Sequence, residues 1–384
     1  MEVRQIYDLM NTVTGEVLGT ENVVAEDLSN VVDVGTQIFN ANAVDNYVKS
    51  LVNHIGKVVF VNRPYSGSVP SVLMDGWEFG SVLEKITADL PEATENESWE
   101  LTDGASYDPN VFYKPTVSTK FFNKRVTFEV PRSITERQVK ESFSSAEQLN
   151  GFLSMLYNAV DKSMTVKMDA LIMRTINNMI GETIYSEYGA ASLSSKSTVK
   201  AVNLLYLFNT RYSKSLTASD AITDPDFIRF AAYEMGVTAS RMGKISSLYN
   251  IGGKDRFTPA DLLHVVMLAD FRKAANVFLQ SDVFHDEFTR LPNAEEVPYW
   301  QGSGAAFAFS DITKINITTA SEHDVTATGI LGVMFDRDAL GVTNLDRRVT
   351  TNYNPKAEFY NNWYKFDAGY FNDTNENFVV FFVA

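Results

Sequence analysis

The residues best suited to chemistry are few and scattered. His285-Asp286-Glu287 sets an imidazole beside two carboxylates, donor types that a divalent ion takes. Adjacent residues on a helix point in different directions, so three in a row seldom share one ion. The run reads as a solvated face. His54, His264 and His323 stand far apart, with no HExxH-type spacing. Glu295-Glu296 and Asp336/Asp338 have the composition of a general acid and its base. Such work needs one raised pKa, and the local sequence offers plainer roles. Glu295-Glu296 precedes a proline in a surface loop, and Asp336 and Asp338 follow an apolar strand, where carboxylates cap turns.

Other chemistries fail on spacing. Gly56-Lys57, Gly243-Lys244 and Gly253-Lys254 are followed by Val, Ile and Asp, so none supplies the hydroxyl of a phosphate-cradling loop. Gly302-Ser303-Gly304 lacks the third glycine of a dinucleotide fingerprint, and no GxSxG elbow occurs. Cysteine is absent, which excludes thiol nucleophiles, disulfides and thiolate metal sites. No catalytic, cofactor-binding or metal residue is assigned, and an enzyme is not expected.

Charge narrows the classes further. The 384 residues carry a net charge of −15, against a protein that grips phosphate over its whole surface. Basic residues form small clusters: Lys120, Lys124 and Arg125, then Arg132, Arg137 and Lys140, then Arg347-Arg348. On so acidic a chain these suit acidic patches on a neighbouring copy. No run reaches the roughly 18 apolar residues of a membrane span, and the first residues lack the apolar core of a signal peptide. The 26 Phe and 17 Tyr favour large buried contacts, those between subunits included.

The elements that must position these residues centre on Phe112–Gly181. FYKPTVSTKFFNKRVTFEV is a long β-rich run ending at Pro131-Arg132. Ser144-Ser145-Ala146-Glu147 reads as a capping box. Beyond it Leu149, Leu156, Val160, Met168, Leu171 and Ile176 belong to one apolar helical stripe. The stripe predicts a continuous helix of about 36 residues, about 54 Å long, stopping near Gly181. It is expected to pack on the strands around Phe121–Val130 and on the C-terminal strand.

Before this centre, residues 1–55 read as an extended arm with a short helix at its end. KVVFVN (Lys57–Asn62) reads as a strand, Val82–Ala88 as a strand or short helix, and 91–110 as an acidic, turn-rich loop. After it, Val199–Arg211 and the segment from Asp224-Pro225 read as helices, as do Phe271–Leu279 and Val283–Phe288. Thr258-Pro259-Ala260-Asp261 looks like a helix start, although LLHVVMLADF after it suits a buried strand. Phe307–Phe309, KINITT, Thr328–Phe335, Arg347–Asn352, Ala357–Tyr370 and FVVFFV read as strands.

This order of parts, with GILGVMFDRDALGV (Gly329–Val342) and the closing run from Asn354 to Ala384, resembles the major capsid proteins of tailed bacteriophages. The resemblance covers essentially the whole chain. It implies an α+β, HK97-like shell fold. Its parts would be an N-terminal arm (1–55), an extended β-hairpin loop (56–120), a peripheral domain (121–190 and 346–384) with a spine helix at about 145–180, and a mixed α/β axial domain (191–345). It also implies a structural subunit that self-assembles into an icosahedral shell around double-stranded DNA. Rival readings are an encapsulin-like compartment, a phage tail or receptor-binding protein, and a carboxylate-pair enzyme.

The same resemblance implies partners. Copies would form hexamers and pentamers in a closed shell, joined by a portal and by possible decoration proteins, with a separate scaffolding protein or none, since no charged scaffolding segment precedes the arm. DNA would be contacted weakly and without specificity. The protein would be assembled in the host bacterial cytoplasm and end in the virion, with no membrane contact. Phe39, Tyr65, Trp77, Phe79 and Trp99 lie in segments too polar to build a core, so they become candidates for contact between subunits, with Arg132 and Arg137 from the basic clusters. No cofactor and no covalent crosslink is assigned.

Overall fold

Three short apolar runs, LHVVML, ILGVMFD and FVVFF, can be strands only where both faces are covered. In the computed structural model they lie at the middle of one sheet. The structure describes residues 69–74, 83–88, 100–114, 116–138, 146–281, 294–301 and 308–384, with single positions or short pieces at 11–14, 34, 36, 50, 91, 93, 95 and 96. The strand expected at Lys57–Asn62, the helix at Val283–Phe288 and nearly all of the arm lie outside the described residues.

In chain order the strands begin with β1 (Leu73–Met74), β2 (Leu83–Ala88), β3 (Val117–Phe122) and β4 (Arg125–Thr135), followed by helix α1 (Ala146–Tyr188). Then come β5 (Ala201–Asn203), α2 (Leu204–Tyr212), α3 (Pro225–Met242), β6 (Leu263–Leu268), α4 (Ala269–Ser281) and β7 (Glu295–Val297). The chain closes with β8 (Ile315–Thr318), β9 (Asp324–Ala327), β10 (Ile330–Asp336), β11 (Leu340–Asn354), β12 (Phe359–Asn372) and β13 (Phe378–Phe382).

The first of two units comprises Met1–Glu78, Arg125–Arg174 and Val342–Gly369. Its sheet has the order β1-β11-β12-β4. β12 alternates from Phe359 to Ala368, with Tyr360, Tyr364, Phe366 and Ala368 buried and Trp363, Lys365 and Asp367 half-buried on the other face. Antiparallel register sets Tyr364 opposite Val130 and Phe366 opposite Phe128, their rings 5.0 Å apart. On the polar face Arg348 Nη1 donates to Asp367 Oδ2 at 2.7 Å. The strand runs through Pro131, where the sequence suggested an end. Pro131 is tolerated because β4 is an edge strand, where a missing N–H need not break the ladder.

The second unit comprises Phe79–Lys124, Thr175–Gly341 and Tyr370–Ala384. Its main sheet has the order β5-β13-β10-β6-β7, and β10 and β13 are buried along their whole length. Gly329, at φ +82°, lies under the carbonyl oxygen of Val383, where any Cβ would collide. Asp224 caps α3, accepting from Phe227 N at 2.8 Å, with Pro225 in the first turn.

Helix α1 runs 43 residues without a break, about 65 Å. Val160, Met168, Leu171, Ile172, Ile176 and Met179 of the stripe are buried, while Met164 is half-buried. The helix passes through Gly181 and stops seven residues later than the sequence suggested, at Tyr188. Glycine at 181 makes room rather than an ending, since a Cβ there would stand 3.0 Å from Thr319 Cγ2 and 3.1 Å from Ile317 Cγ2. The left-handed cap is Gly189, at φ +55°, whose N–H donates to Tyr185 O at 2.8 Å. The capping-box serines, Ser144 and Ser145, lie outside the described residues. At the other end Tyr188 meets Phe382 of β13 edge-on at 5.8 Å. Phe121 cannot receive the stripe, because it turns to solvent.

Four local expectations are corrected. Helix α2 begins only at Leu204, after the buried strand β5. Thr258-Pro259-Ala260-Asp261 forms a turn, because Thr258 is buried with its Oγ1 accepting from Asn377 Nδ2 at 3.1 Å. Phe309, expected to close a strand at Phe307–Phe309, instead opens the helical turn Phe309–Ile312, while Phe307 lies outside the described residues. Glu295-Glu296 lies on β7, paired with Val266 and Met267, not in a loop.

Candidate functional site

Among the described residues no group of three His, Asp or Glu is placed to hold a metal ion. Asp336 caps its turn, its Oδ1 accepting from Asp338 N at 2.9 Å. Glu296 stands 3.4 Å from Arg272. Burial lowers the pKa of His264, which lies against Phe335 at 5.7 Å. His285, Asp286 and Glu287 lie outside the described residues.

What the second unit does build is a two-stranded ribbon. β2 and β3 pair antiparallel from Leu83↔Phe122 to Ala88↔Val117. An isolated ribbon of this size is marginal in water, so its inner face matters. That face carries Lys85 and Thr87 opposite Lys120 and Ser118, and Thr87 Oγ1 lies 2.8 Å from Ser118 Oγ. Two lysines directly opposite each other would repel. Here both reach one carboxylate: Lys85 Nζ lies 2.9 Å from Asp373 Oδ2, and Lys120 Nζ lies 2.9 Å from Asp373 Oδ1. Lys85 also donates to Glu376 Oε1 at 2.7 Å, which Arg256 Nε reaches at 3.2 Å. Phe122 packs on Phe371 at 5.1 Å beside them.

The ion pairs shift the titration of their own groups. Burial works against a charge on Asp373, but the hydrogen bond from Lys120 and the nearness of Lys85 outweigh it, so its carboxyl is held below the usual range. Burial likewise works against the Lys85 ammonium, and Glu376 and Asp373 overcome it, raising its pKa.

The outer face has the opposite character. Ile86 is 64% exposed and Phe121 62%, with Val117 beside them. In the connecting loop Phe112 and Tyr113 are 83% and 85% exposed. Among the described residues of the loop, Thr102 N donates to Tyr107 Oη at 3.0 Å and Asn110 N to Asp108 Oδ1 at 2.9 Å. The ribbon is thus fastened by ion pairs and turns its apolar side away from its own unit.

Of the expected contact residues, Phe39, Tyr65, Trp77, Phe79 and Trp99 lie outside the described residues. Arg132 is exposed on β4 opposite buried Asn362, and burial, opposed by Arg132, raises the pKa of Tyr364. Arg137 follows in a short helical turn and is engaged within the chain. Lys120, assigned from sequence to a neighbouring copy, binds Asp373 of its own chain instead. Lys85, Asp373, Glu376, Ile86, Phe112 and Phe121 were missed. The period-two pattern of LEKITA was visible, but which face is inner depends on Asp373 and on Glu376, the latter 291 residues from Lys85.

Against known proteins, the chain is 22% identical over 372 residues to the major capsid protein of Bacillus phage B103, covering 94% of this chain and 69% of that protein. A chain of the solved structure of head fiber and inner core protein gp22 of native bacteriophage P68 superposes with TM-score 0.51 at 7% identity, over 84% of this chain and 86% of that one. A chain of the capsid structure of Staphylococcus phage Andhra gives TM-score 0.48 at 10% identity, over 82% and 83%. The fold is HK97-like, mixed α and β over several sheets, as the resemblance implied. From residue 10 to residue 382 the chain matches the Phi29-like phage major capsid proteins, and it belongs to that family.

Proposed function

We propose that this phage major capsid protein, which forms the head shell, closes that shell by laying the β2–β3 ribbon of each copy over a neighbour. The observation that carries this reading is the ribbon's split character, with Lys85 and Lys120 tied to Asp373 beneath and Ile86 and Phe121 bare above. Apolar side chains held out on an anchored arm are covered when a second copy arrives. The family supports the capsid reading and neither the compartment nor the tail reading.

In the finer reading the shell is icosahedral, built of hexamers and pentamers, and encloses double-stranded DNA that it touches weakly. A portal, a separate scaffolding protein and decoration proteins complete it, and assembly takes place in the host bacterial cytoplasm. Residues 1–55 serve as the arm, 56–120 as the extended loop, 121–190 and 346–384 as the peripheral domain and 191–345 as the axial domain. Phe39, Tyr65, Trp77, Phe79, Trp99, Arg132 and Arg137 are proposed as further contacts between copies.

The test is the variant Ile86→Ser with Phe121→Ser. Both residues are exposed in the single copy, so the subunit is expected to fold with an unchanged melting temperature while closed shells fail to form. Shells of normal yield and stability from the variant would refute the reading.

A further inference from the structure

Glycine follows an acid or its amide at three places in the chain: Asp75-Gly76, Asp103-Gly104 and Asn150-Gly151. At such a pair the glycine nitrogen can attack the side-chain carbonyl, because no Cβ on the glycine stands in the way. The backbone around each pair decides whether it does. Asp75 and Gly76 lie outside the described residues. Gly151 sits in the second turn of α1, where its N–H donates to the carbonyl four residues back. The helix therefore holds that nitrogen away from the attack.

Asp103 and Gly104 stand at the corner of an exposed turn in the loop between β2 and β3. Ala105 N donates to Thr102 O at 3.2 Å, which makes these two the central residues of the turn. Gly104 has φ +83°, as a type II turn requires at that position. The closing bond leaves the peptide between the two corner residues unused. Among the described residues no hydrogen bond or ion pair engages the Asp103 carboxyl or the Gly104 N–H. A Cβ built on Gly104 would meet nothing within 4 Å. The nucleophile, the electrophile and the space for a five-membered ring are all open.

We propose that Asp103-Gly104 is a site of self-modification, at which the folded subunit slowly forms isoaspartate. Gly104 N bonds to Asp103 Cγ, and water leaves with one carboxyl oxygen, the carboxyl proton and the amide proton. Water then opens the succinimide at either carbonyl. Opening at the α-carbonyl of Asp103 routes the main chain through the side-chain carboxyl, one methylene longer and with no change in mass. No oxidant, cofactor or enzyme is needed. The added methylene breaks the register in which Ala105 N meets Thr102 O, so the loop changes shape with the age of the subunit. The inference stands whether or not the ribbon meets a neighbour.

The test uses the full chain, folded and unassembled, held for several days at neutral pH. Isoaspartate is counted with an isoaspartyl methyltransferase and labelled S-adenosylmethionine, and located by electron-transfer fragmentation of the peptides. Isoaspartate at position 103 is expected to rise several-fold over fresh protein while Asn150 stays intact. In urea the order is expected to reverse, because an amide closes the ring faster than an acid once the helix is gone. Gly104→Ala is expected to slow the reaction at 103 several-fold. Asp103→Asn is expected to speed it several-fold, with a deamidation that shows as a change in mass. Circular dichroism checks that both variants keep the helix content of the unaltered chain. Folded protein that gains no isoaspartate at 103, or that modifies Asn150 first, overturns the inference. So does a folded Asp103→Asn chain that stays unmodified.

Discussion

Lys85 of the β2–β3 ribbon and Asp373, on the segment that leads into β13, stand 2.9 Å apart with the Asp373 side chain almost wholly buried. That pair fixes how the excursion leaves its unit, and its pH dependence follows. The Asp373 carboxyl is held below its ordinary 3.8, so its stabilising effect is present above that value and is lost as the pH falls through the lower, folded one. The Lys85 pKa is raised above 10.5, so its contribution is complete below 10.5 and lost as the pH rises through the folded value. The protection of amides in β2 and β3, taken relative to the intrinsic exchange rate at each pH, is expected to stay flat across the interval and to fall at both ends. Asp373→Asn is expected to cost about 2 kcal/mol and to lower that protection at neutral pH. Unchanged protection in the variant would remove the pair from the account.

Helix α1 predicts a contrast between two positions on one element. Leu171 is 3% exposed and Val166 58%. Leu171→Ala is expected to cost about 2–5 kcal/mol, and Val166→Ala within about 0.5 kcal/mol of nothing. Chemical denaturation of the unassembled subunit measures both. Equal losses would mean that the stripe is not what holds the helix.

Much of this was legible in the sequence, and the reasons are physical. The α1 stripe, the strand of FVVFFV and the alternation of Phe359–Tyr370 are local periodicities, and each element formed. What the local sequence could not hold was the partner. Gly181 looked like a stop because the Thr319 and Ile317 methyl groups that require a glycine there are over a hundred residues on. Lys120 looked available because Asp373 was out of view. Phe112 and Tyr113 were read into the β-rich run, whose strand begins only at Val117, so their exposure in a loop was not anticipated.

Gly329 makes a sharper prediction. Its φ of +82° and the Val383 carbonyl above it leave no room for a side chain. Gly329→Ala is expected to cost about 2–6 kcal/mol, combining backbone strain with overpacking. A melting temperature equal to that of the unaltered chain would contradict the packing of the C-terminal strand.

DNA binding by the free subunit is expected to be weak. The net charge is −15, and Lys120 and Arg348, each from one of the basic clusters, are paired with carboxylates, which weakens those clusters as phosphate sites. Each phosphate contact contributes roughly 0.9 to the salt slope, so a fluorescence titration between about 50 and 200 mM salt is expected to show a shallow one. Submicromolar affinity with a steep slope would reveal a concentrated basic face.

The most direct measurement is electron cryo-microscopy of assembled heads, resolving the surroundings of Ile86, Val117 and Phe121. The account predicts that a neighbouring copy covers all three while Lys85 and Lys120 stay on Asp373 of their own chain. A closed shell in which those three side chains remain open to solvent would contradict it.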